Sequence, residues 1–544
     1  MKIALAQLNY HIGNFEFNTA QMIRAIEQAR AEGADLVVFA ELSVCGYPPR
    51  DLLELEHFIE QCEAAAQQIA QASKGMACII GLPTRNPEIK GKDLFNSAYF
   101  IEDGMVKAQV NKALLPNYDV FDEYRYFEPS RSSSCIDFKG HKIALTICED
   151  LWNVNDNPLY VAEPMEQLSK EQPDLMINIA ASPFAYNHDE ERLQVLGDNC
   201  RKYQLPLFYV NQVGAHTEII FDGGSLLFNE KGEVLDELPY FSESIRYYEF
   251  DDKSIKGLAP KTEVRQTDIE QIHQALILGI KDYFQKSGFS KAVLGLSGGI
   301  DSAVVCALAA EALGPKNVMA VLMPSEYSTD HSIKDALDLV NNLGCQHEII
   351  PIKAAAQTFE ELLKPVFKDL PFNIAEENIQ SRSRALVLMA LSNKFGYILL
   401  NTSNKSECAV GYGTLYGDMA GAISVLGDVY KTQVFQLARH LNREKEIIPI
   451  NSIVKPPSAE LRPGQKDSDS LPEYDLLDRV LYQYIELKRS PEAIITEGFE
   501  EAMVRKTVKM VNVAEFKRYQ TPPILRVSPK AFGMGRRMPI VGKY

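Results

Sequence analysis

Along the first 250 residues, short apolar runs recur, each bracketed by turn-forming residues. KIALAQLN, DLVVFAELSV, ACIIGLP, SAYFIEDGMVKAQV, KIALTICED, LMINIAAS, LFYVNQVG and GSLLFNEKGEVLDEL have the length and composition of β segments, with hairpins toward the end. Between the first two, NTAQMIRAIEQARAEGA (18–34) reads as a capped amphipathic helix that stops at Gly33. Strands separated by helices, then hairpins, predict a mixed sheet covered by helices.

Residues 251–268, DDKSIKGLAPKTEVRQTD, interrupt this pattern with a polar stretch and read as a linker between residues 1–250 and 269–544. A second alternation follows: a helix over 269–285, strand KAVLGL, a glycine-paired turn, helix SAVVCALAAEAL ended by Gly314, strand VMAVLMP, a helix to Gly344 and strand EIIPI. This βαβαβ order predicts a doubly wound parallel sheet with ligands at the strand C-termini. The stripe ALVLMAL (385–391) reads as core, and PPSAELRPGQKDSDSLP (456–472) as a mobile loop.

The chain has 544 residues, room for about two to four domains. Its 56 basic and 73 acidic residues give a net charge of −17, which disfavours a nucleic-acid partner. One local reversal, residues 517–543, holds many Lys and Arg and no acid, and reads either as a solvated tail, the commoner fate of a charge run, or as a binding edge for a small polyanion. No apolar run has the length of a membrane span, and Gln7 and Asn9 interrupt the N-terminus too early for a secretory signal. Nine cysteines without CxxC pairs suit neither a disulfide framework nor a zinc ribbon, so a reducing cytoplasm is expected.

Chemistry concentrates at VLGLSGGIDSAVV (293–305). Gly298 and Gly299 let backbone N–H groups approach an anion, and the following helix points its positive end there. Ser297 and Ser302 add hydroxyls. Asp301 would repel phosphate unless Mg²⁺ lies between them. The GK[ST] ending of a Walker A loop is missing. SGGxDS resembles the pyrophosphate-binding loop of the N-type ATP pyrophosphatases, which split ATP to AMP and pyrophosphate and adenylate an oxygen for displacement. With MPSEYSTDHSIKDALDL, ENIQSRSRALVLM, NTSNKSE and GDVYKTQV, this half is similar to the NAD synthetases. The resemblance implies that Gly295, Leu296, Ser297, Gly298, Gly299, Ile300, Asp301 and Ser302, with Thr402 and Lys431, hold ATP as co-substrate. It implies Mg²⁺ on Asp301 and Glu407, and deamido-NAD on Asn378, Arg382, Glu407 and Lys517. Ammonia-only relatives carry a lysine near Leu415 that is absent here, which leaves residues 416–418 without an assigned role. Relatives associate through this domain, so a homo-oligomer is expected.

In the first half, Glu41, Lys112 and Cys148 each close a β segment. A cysteine thiolate attacks an amide carbon, and it needs a base and a cation nearby. FAELSVCGYPPRDLL, NKALLPNYDVFDEYRYF, ICEDLWN and NIAASPF resemble the nitrilase (carbon–nitrogen hydrolase) superfamily in the form fused to NAD synthetase. This implies an α-β-β-α sandwich, with Cys148 as nucleophile, Glu41 as base then acid, and Lys112 as oxyanion support. Tyr118 and Ser182 would position glutamine. A lysine that relatives place after SPF is missing, and either His188 or Arg192 completes the pocket. The first half would then release ammonia from glutamine, and the second would amidate deamido-NAD with it. Free ammonia is mostly non-nucleophilic ammonium at neutral pH, so an internal handover is expected. Another ATP pyrophosphatase reaction, such as tRNA thiolation, is disfavoured by the acidic charge and the missing CxxC pairs. A catalytically dead sensor is disfavoured by intact Glu41, Lys112, Cys148 and SGGIDS.

Overall fold

The computed structural model describes residues 1–154, 158–251, 254–256 and 266–542. The chain divides into two units, Met1–Arg265 and Gln266–Tyr544.

The first unit runs β1 (Lys2–Gln7), α1 (Phe15–Ala31), β2 (Leu36–Val38), α2 (Glu56–Ala72), β3 (Ala77–Arg85), β4 (Leu94–Glu102) and β5 (Met105–Asn111). It continues through β6 (Ile136–Phe138), β7 (His141–Ile147), α3 (Pro164–Leu168), β8 (Leu175–Ala180), α4 (His188–Tyr203) and β9 (Leu207–Asn211). β10 (Val213–His216), β11 (Ile219–Asp222), β12 (Leu226–Phe228), β13 (Val234–Glu237), β14 (Ser244–Asp251) and β15 (Ser254–Lys256) complete it. One sheet has the order β15-β14-β1-β2-β3-β4-β5 and the other β13-β12-β9-β8-β7-β6. Part of the stretch read as a linker is thus strand β15, paired on β14; residues 252–253 and 257–265 lie outside the described residues.

Strands that look uniformly apolar are sorted by the period of two. Ile3, Leu5, Leu36, Val38 and Ile79 meet Ile143, Leu145, Ile177 and Phe208 in a core between the sheets. Their alternates Ala4, Ala6, Val37, Cys78 and Ile80 face Met22, Ile26 and Ile69 of α1 and α2. Burial on both faces explains the missing polar alternation, and each buried Ile or Leu contributes about 1.5–3 kcal/mol. This is the expected sandwich.

Local chemistry shifts several boundaries. Helix α1 starts one turn before the predicted segment, because Asn14 accepts from the Phe17 N–H at 3.2 Å and caps it. Asn18 instead donates to the carbonyls of His11 and Val44. The predicted strand over DLVVFAELSV ends at Val38, after which the chain turns. A Cβ on Gly81 would lie 2.3 Å from the Leu42 nitrogen, so only glycine lets β3 press against that turn.

The second unit runs α5 (Asp268–Lys286), β16 (Ala292–Gly295), α6 (Ile300–Leu313), β17 (Val318–Leu322), α7 (Asp330–Leu343) and β18 (Gln346–Ile349). Then come α8 (Lys353–Phe367), α9 (Ile374–Phe395), β19 (Ile398–Asn401), α10 (Lys405–Val410), β20 (Ile423–Ser424) and α11 (Lys431–Leu441). Every strand pair is parallel, in the order β18-β17-β16-β19-β20. The order reverses at β16, so the crevice at the C-terminal ends of β16 and β19 is the switch point where such sheets bind ligands.

One core expectation needs correction. In ALVLMAL, Ala385 and Leu388 are buried, and Leu388 packs on Val293 and Leu399. Leu386 is 62% exposed and Met389 39%. Only one row of α9 reaches the sheet. Helix α8, packed on α9, also leaves Phe359, Leu362 and Val366 exposed. The basic run after residue 517 turns inward as well: Arg518 donates to the carbonyls of Cys408, Ala409 and Val511, and Arg536 to Glu515.

Two candidate active sites

In the first unit, Lys112 follows β5 and has no exposed surface. Its Nζ lies 2.8 Å from Glu41 Oε1 and 2.9 Å from both oxygens of Glu123. Burial would pull the ammonium toward neutrality, but Glu123, Glu41 and the Cys148 thiol keep its pKa well above that of ordinary lysine. One cation between two carboxylates leaves surplus negative charge. Burial therefore pushes the Glu123 carboxyl up, with Lys112 opposing and Glu41 adding to the push. Asn96 Nδ2 donates to Glu41 at 2.7 Å and to Glu123 at 3.2 Å, and the Ala181 N–H donates to the other Glu41 oxygen.

Cys148 begins the turn after β7 at φ +42°, a left-handed conformation costly for a side chain with Cβ. Asp150 holds that turn. Its carboxylate accepts from the N–H groups of Ile147, Ala113 and Leu114, and so ties the cysteine to the end of the lysine strand. Burial pushes the Cys148 thiol well above the ordinary range; Glu41 adds to this and Lys112 opposes it. The resting group is a thiol, and attack requires a base.

Tyr118 donates its hydroxyl to Glu149 at 2.9 Å, as does Tyr160 at 3.0 Å. Ser182 is buried beside Asn211, which accepts from its N–H. Of the two candidates after SPF, Arg192 is buried and spends its guanidinium on Asp222 at 3.0 and 2.8 Å. His188 stacks on Trp152, with ring centroids 5.1 Å apart. Glu123, Asn96, Glu149 and Tyr160 escaped the sequence reading. Glu123 and Glu149 lie inside quoted motifs, but neither falls on a periodic element.

In the second unit, a cavity of about 290 Å³ opens at the switch point. Gly295, Leu296, Ser297, Gly299, Ile300, Asp301, Ser302, Thr402, Glu407 and Lys431 all line it. Gly298 stands behind them at φ +81°, where a Cβ would lie 2.2 Å from the Ser332 carbonyl oxygen. Lys431 Nζ is 2.5 Å from Asp301 Oδ2 and 3.5 Å from Glu407 Oε1. Burial first, then Asp301, pushes the Glu407 carboxyl up to about 8 against the pull of Lys431.

Asn378, Arg382 and Lys517 lie off the cavity wall and converge on residues 411–415. Lys517 Nζ donates to the carbonyls of Gly411 and Gly413, Asn378 accepts from Thr414, and Arg382 donates to the Leu415 carbonyl. The loop read as mobile reaches the cavity: Glu460 accepts from Ser332 at 2.7 Å, and Asp467 accepts from Tyr412 and Tyr474. Asn404, Arg384 and Asp467 were not picked out from the sequence. Among the described residues, no three His, Cys, Asp or Glu side chains form a metal-binding group. Asp301 and Glu407 suit a cation shared with phosphates, because both are hard oxygen ligands lining the cavity and Asp301 already pushes the Glu407 carboxyl up, a cost a cation would offset.

Comparison with known proteins gives these geometries a family. The carbon-nitrogen hydrolase profile matches residues 2–259, and the NAD synthase profile matches residues 272–521. The glutamine-dependent NAD(+) synthetase of Synechocystis sp. is 48% identical over 546 residues, covering 99% of this chain and 98% of that one. The chain belongs to the glutamine-dependent NAD(+) synthetase family. The Acinetobacter baylyi member is 43% identical over 99% of this chain and 98% of its own. The solved glutamine-dependent NAD+ synthetase of Acinetobacter baumannii, a complex with ADP, aligns with a TM-score of 0.79 at 39% identity, covering 99% of this chain and 98% of that one. In this family's two-domain plan, the hydrolase match contains the Glu41–Lys112–Glu123 group and Cys148. The synthase match contains the Asp301 turn and Lys517.

Proposed function

We propose that the first unit hydrolyses L-glutamine and the second uses the ammonia to convert deamido-NAD to NAD. Cys148 Sγ attacks the side-chain amide carbon while Glu41 takes the thiol proton. Lys112, already bonded to Glu41, faces the developing oxyanion. Glu41 returns the proton to the leaving nitrogen, NH₃ departs, and a Cys148 thioester remains. Glu41 then takes a proton from water, which attacks the thioester, and passes that proton to the departing Cys148 sulfur as glutamate is released. Tyr118 and Ser182 orient the amino acid. Glu149, held by two tyrosine hydroxyls beside the nucleophile, faces its ammonium group.

In the second unit, ATP lies along the turn 295–302, with Thr402 and Lys431 completing its contacts. Asn378, Arg382 and Lys517 shape the edge for deamido-NAD. Its nicotinate carboxylate attacks the α-phosphorus and pyrophosphate leaves. NH₃ then displaces AMP from the acyl adenylate to give the amide. Mg²⁺ on Asp301 and Glu407 would offset the charge of the phosphates. Free thiols at all nine cysteines fit a reducing cytoplasm. The exposed apolar face of α8 and α9 suits a second copy of this chain.

The observation that carries the reading is the buried Glu41–Lys112–Glu123 group beside Cys148, in the same chain as a paired-carboxylate site at a switch point. Glutamine labelled with ¹⁵N in its side-chain amide tests it. Label in the NAD amide is expected, and NAD formed without label from glutamine refutes the reading.

A further inference from the structure

Two residues bridge the Asp301–Glu407 pair, and only one of them is charged. Lys431 reaches Asp301 Oδ2 and Glu407 Oε1. Asn404 touches the same two residues through three groups. Its Nδ2 donates to Asp301 Oδ1 at 2.9 Å, its Oδ1 accepts from the Glu407 N–H at 2.9 Å, and its backbone N–H donates to Glu407 Oε2 at 3.3 Å. It has no exposed surface.

Part of this is an ordinary cap for α10. A cap needs only an acceptor, and Ser, Thr or Asp would serve the Glu407 N–H as well. Asparagine adds an amide donor on the far side, at the reach of Asp301. With that donor on Oδ1, Asp301 gives Lys431 a single oxygen. Without it, both oxygens are free to close on the ammonium in a bidentate pair.

We infer that Asn404 is a positioning residue: its amide holds Asp301 Oδ1 off the Lys431 ammonium, which meets Oδ2 alone, so that Asp301 and Glu407 together stay available to a divalent cation. This rests on the Mg²⁺ reading above and extends it to a neutral residue between the two carboxylates.

The test uses Mn²⁺ in place of Mg²⁺, with binding to the full chain in the presence of ATP followed by the electron paramagnetic resonance of the free ion. Asn404→Ser keeps the cap acceptor but is too short to reach Asp301. It is expected to melt close to the unaltered protein and to bind Mn²⁺ roughly tenfold more weakly, the scale of a lost hydrogen bond to a charged group. Added to Asp301→Ala, it should cause no further loss. Unchanged Mn²⁺ affinity in Asn404→Ser overturns the inference, and so does an additive loss in the double variant. If Asn404→Ser and Asn404→Ala both fail to fold, the side chain is a structural cap and the inference also falls. Equal Mn²⁺ binding by the unaltered protein and Asp301→Ala would sink the Mg²⁺ reading itself, and this is read independently of Asn404.

Discussion

At the scale of the residue, the thiol site is organised by how charge is shared in a buried space. Lys112 and Cys148 directly follow strands, Glu41 lies three residues past Val38, and the three were legible from these strand-end positions together with the resemblance of the motifs around them. Glu123 was not legible: it lies in a short 3-10 turn, and only its 2.9 Å contacts with Lys112 reveal it. Removing one member of a buried ionic group is costly, so Glu123→Gln is expected to lower glutaminase turnover about 10²-fold while ammonium-driven synthesis persists. Steady-state assays with each nitrogen source check this. Cys148→Ala is expected to abolish glutamine-driven synthesis and leave ammonium-driven synthesis in place; loss of both would contradict separate sites. Arg192 and His188 were equal candidates in the sequence. In the structure Asp222 takes the guanidinium of Arg192, and Trp152 stacks on the ring of His188.

At the scale of the element, packing decides what each turn is able to do. The Gly298 turn passes so close to Ser332 that a methyl group has no room, and its positive φ adds strain for any other residue. Gly298→Ala is expected to weaken ATP binding and stop synthesis with either nitrogen source, with glutaminase unchanged; calorimetric titration of ATP measures the first effect. In the other unit, Asp35 joins β1 to the turn after β6. It accepts from the Lys2 N–H at 2.7 Å and from Lys139. Burial pushes this carboxyl up, but Lys139 and the Lys2 N–H outweigh it and the net pKa lies below the ordinary value. A depressed folded-state pKa contributes stability that is complete above about pH 4 and lost as pH falls through the folded value. Asp35→Asn should therefore show a smaller stability loss between pH 6 and pH 3 than the unaltered chain, as read by urea unfolding at each pH. The helix boundaries were legible to within a turn. The missed start of α1 reflects two nearby asparagines of equal capping strength, of which only tertiary contact assigns Asn18 elsewhere.

At the scale of the whole molecule, two chemistries occupy two units, each with its own sheets and core. The exposed face of α8 and α9 bears on assembly. Leu362 is 67% exposed, Val366 71% and Leu386 62%, so the pairing of two copies proposed for this face is testable there. Leu362→Glu combined with Val366→Glu is expected to lower the particle mass in light scattering to that of one chain, against about twice that mass or more for the unaltered protein. An unchanged mass would place the contact on another face.

The order of elements, the two sheet classes and the residue types able to do the chemistry all follow from the sequence alone. Hydrophobic period and turn residues are local properties, written within a few positions of where they act. Which charges meet was settled only by the tertiary structure. Lys112 and Glu41 are 71 positions apart and Lys431 and Asp301 are 130 apart, and no local period spans such distances. The outer rows of α9 show the same division. Helical spacing marks those residues as apolar, while burial depends on whether another surface arrives to cover them.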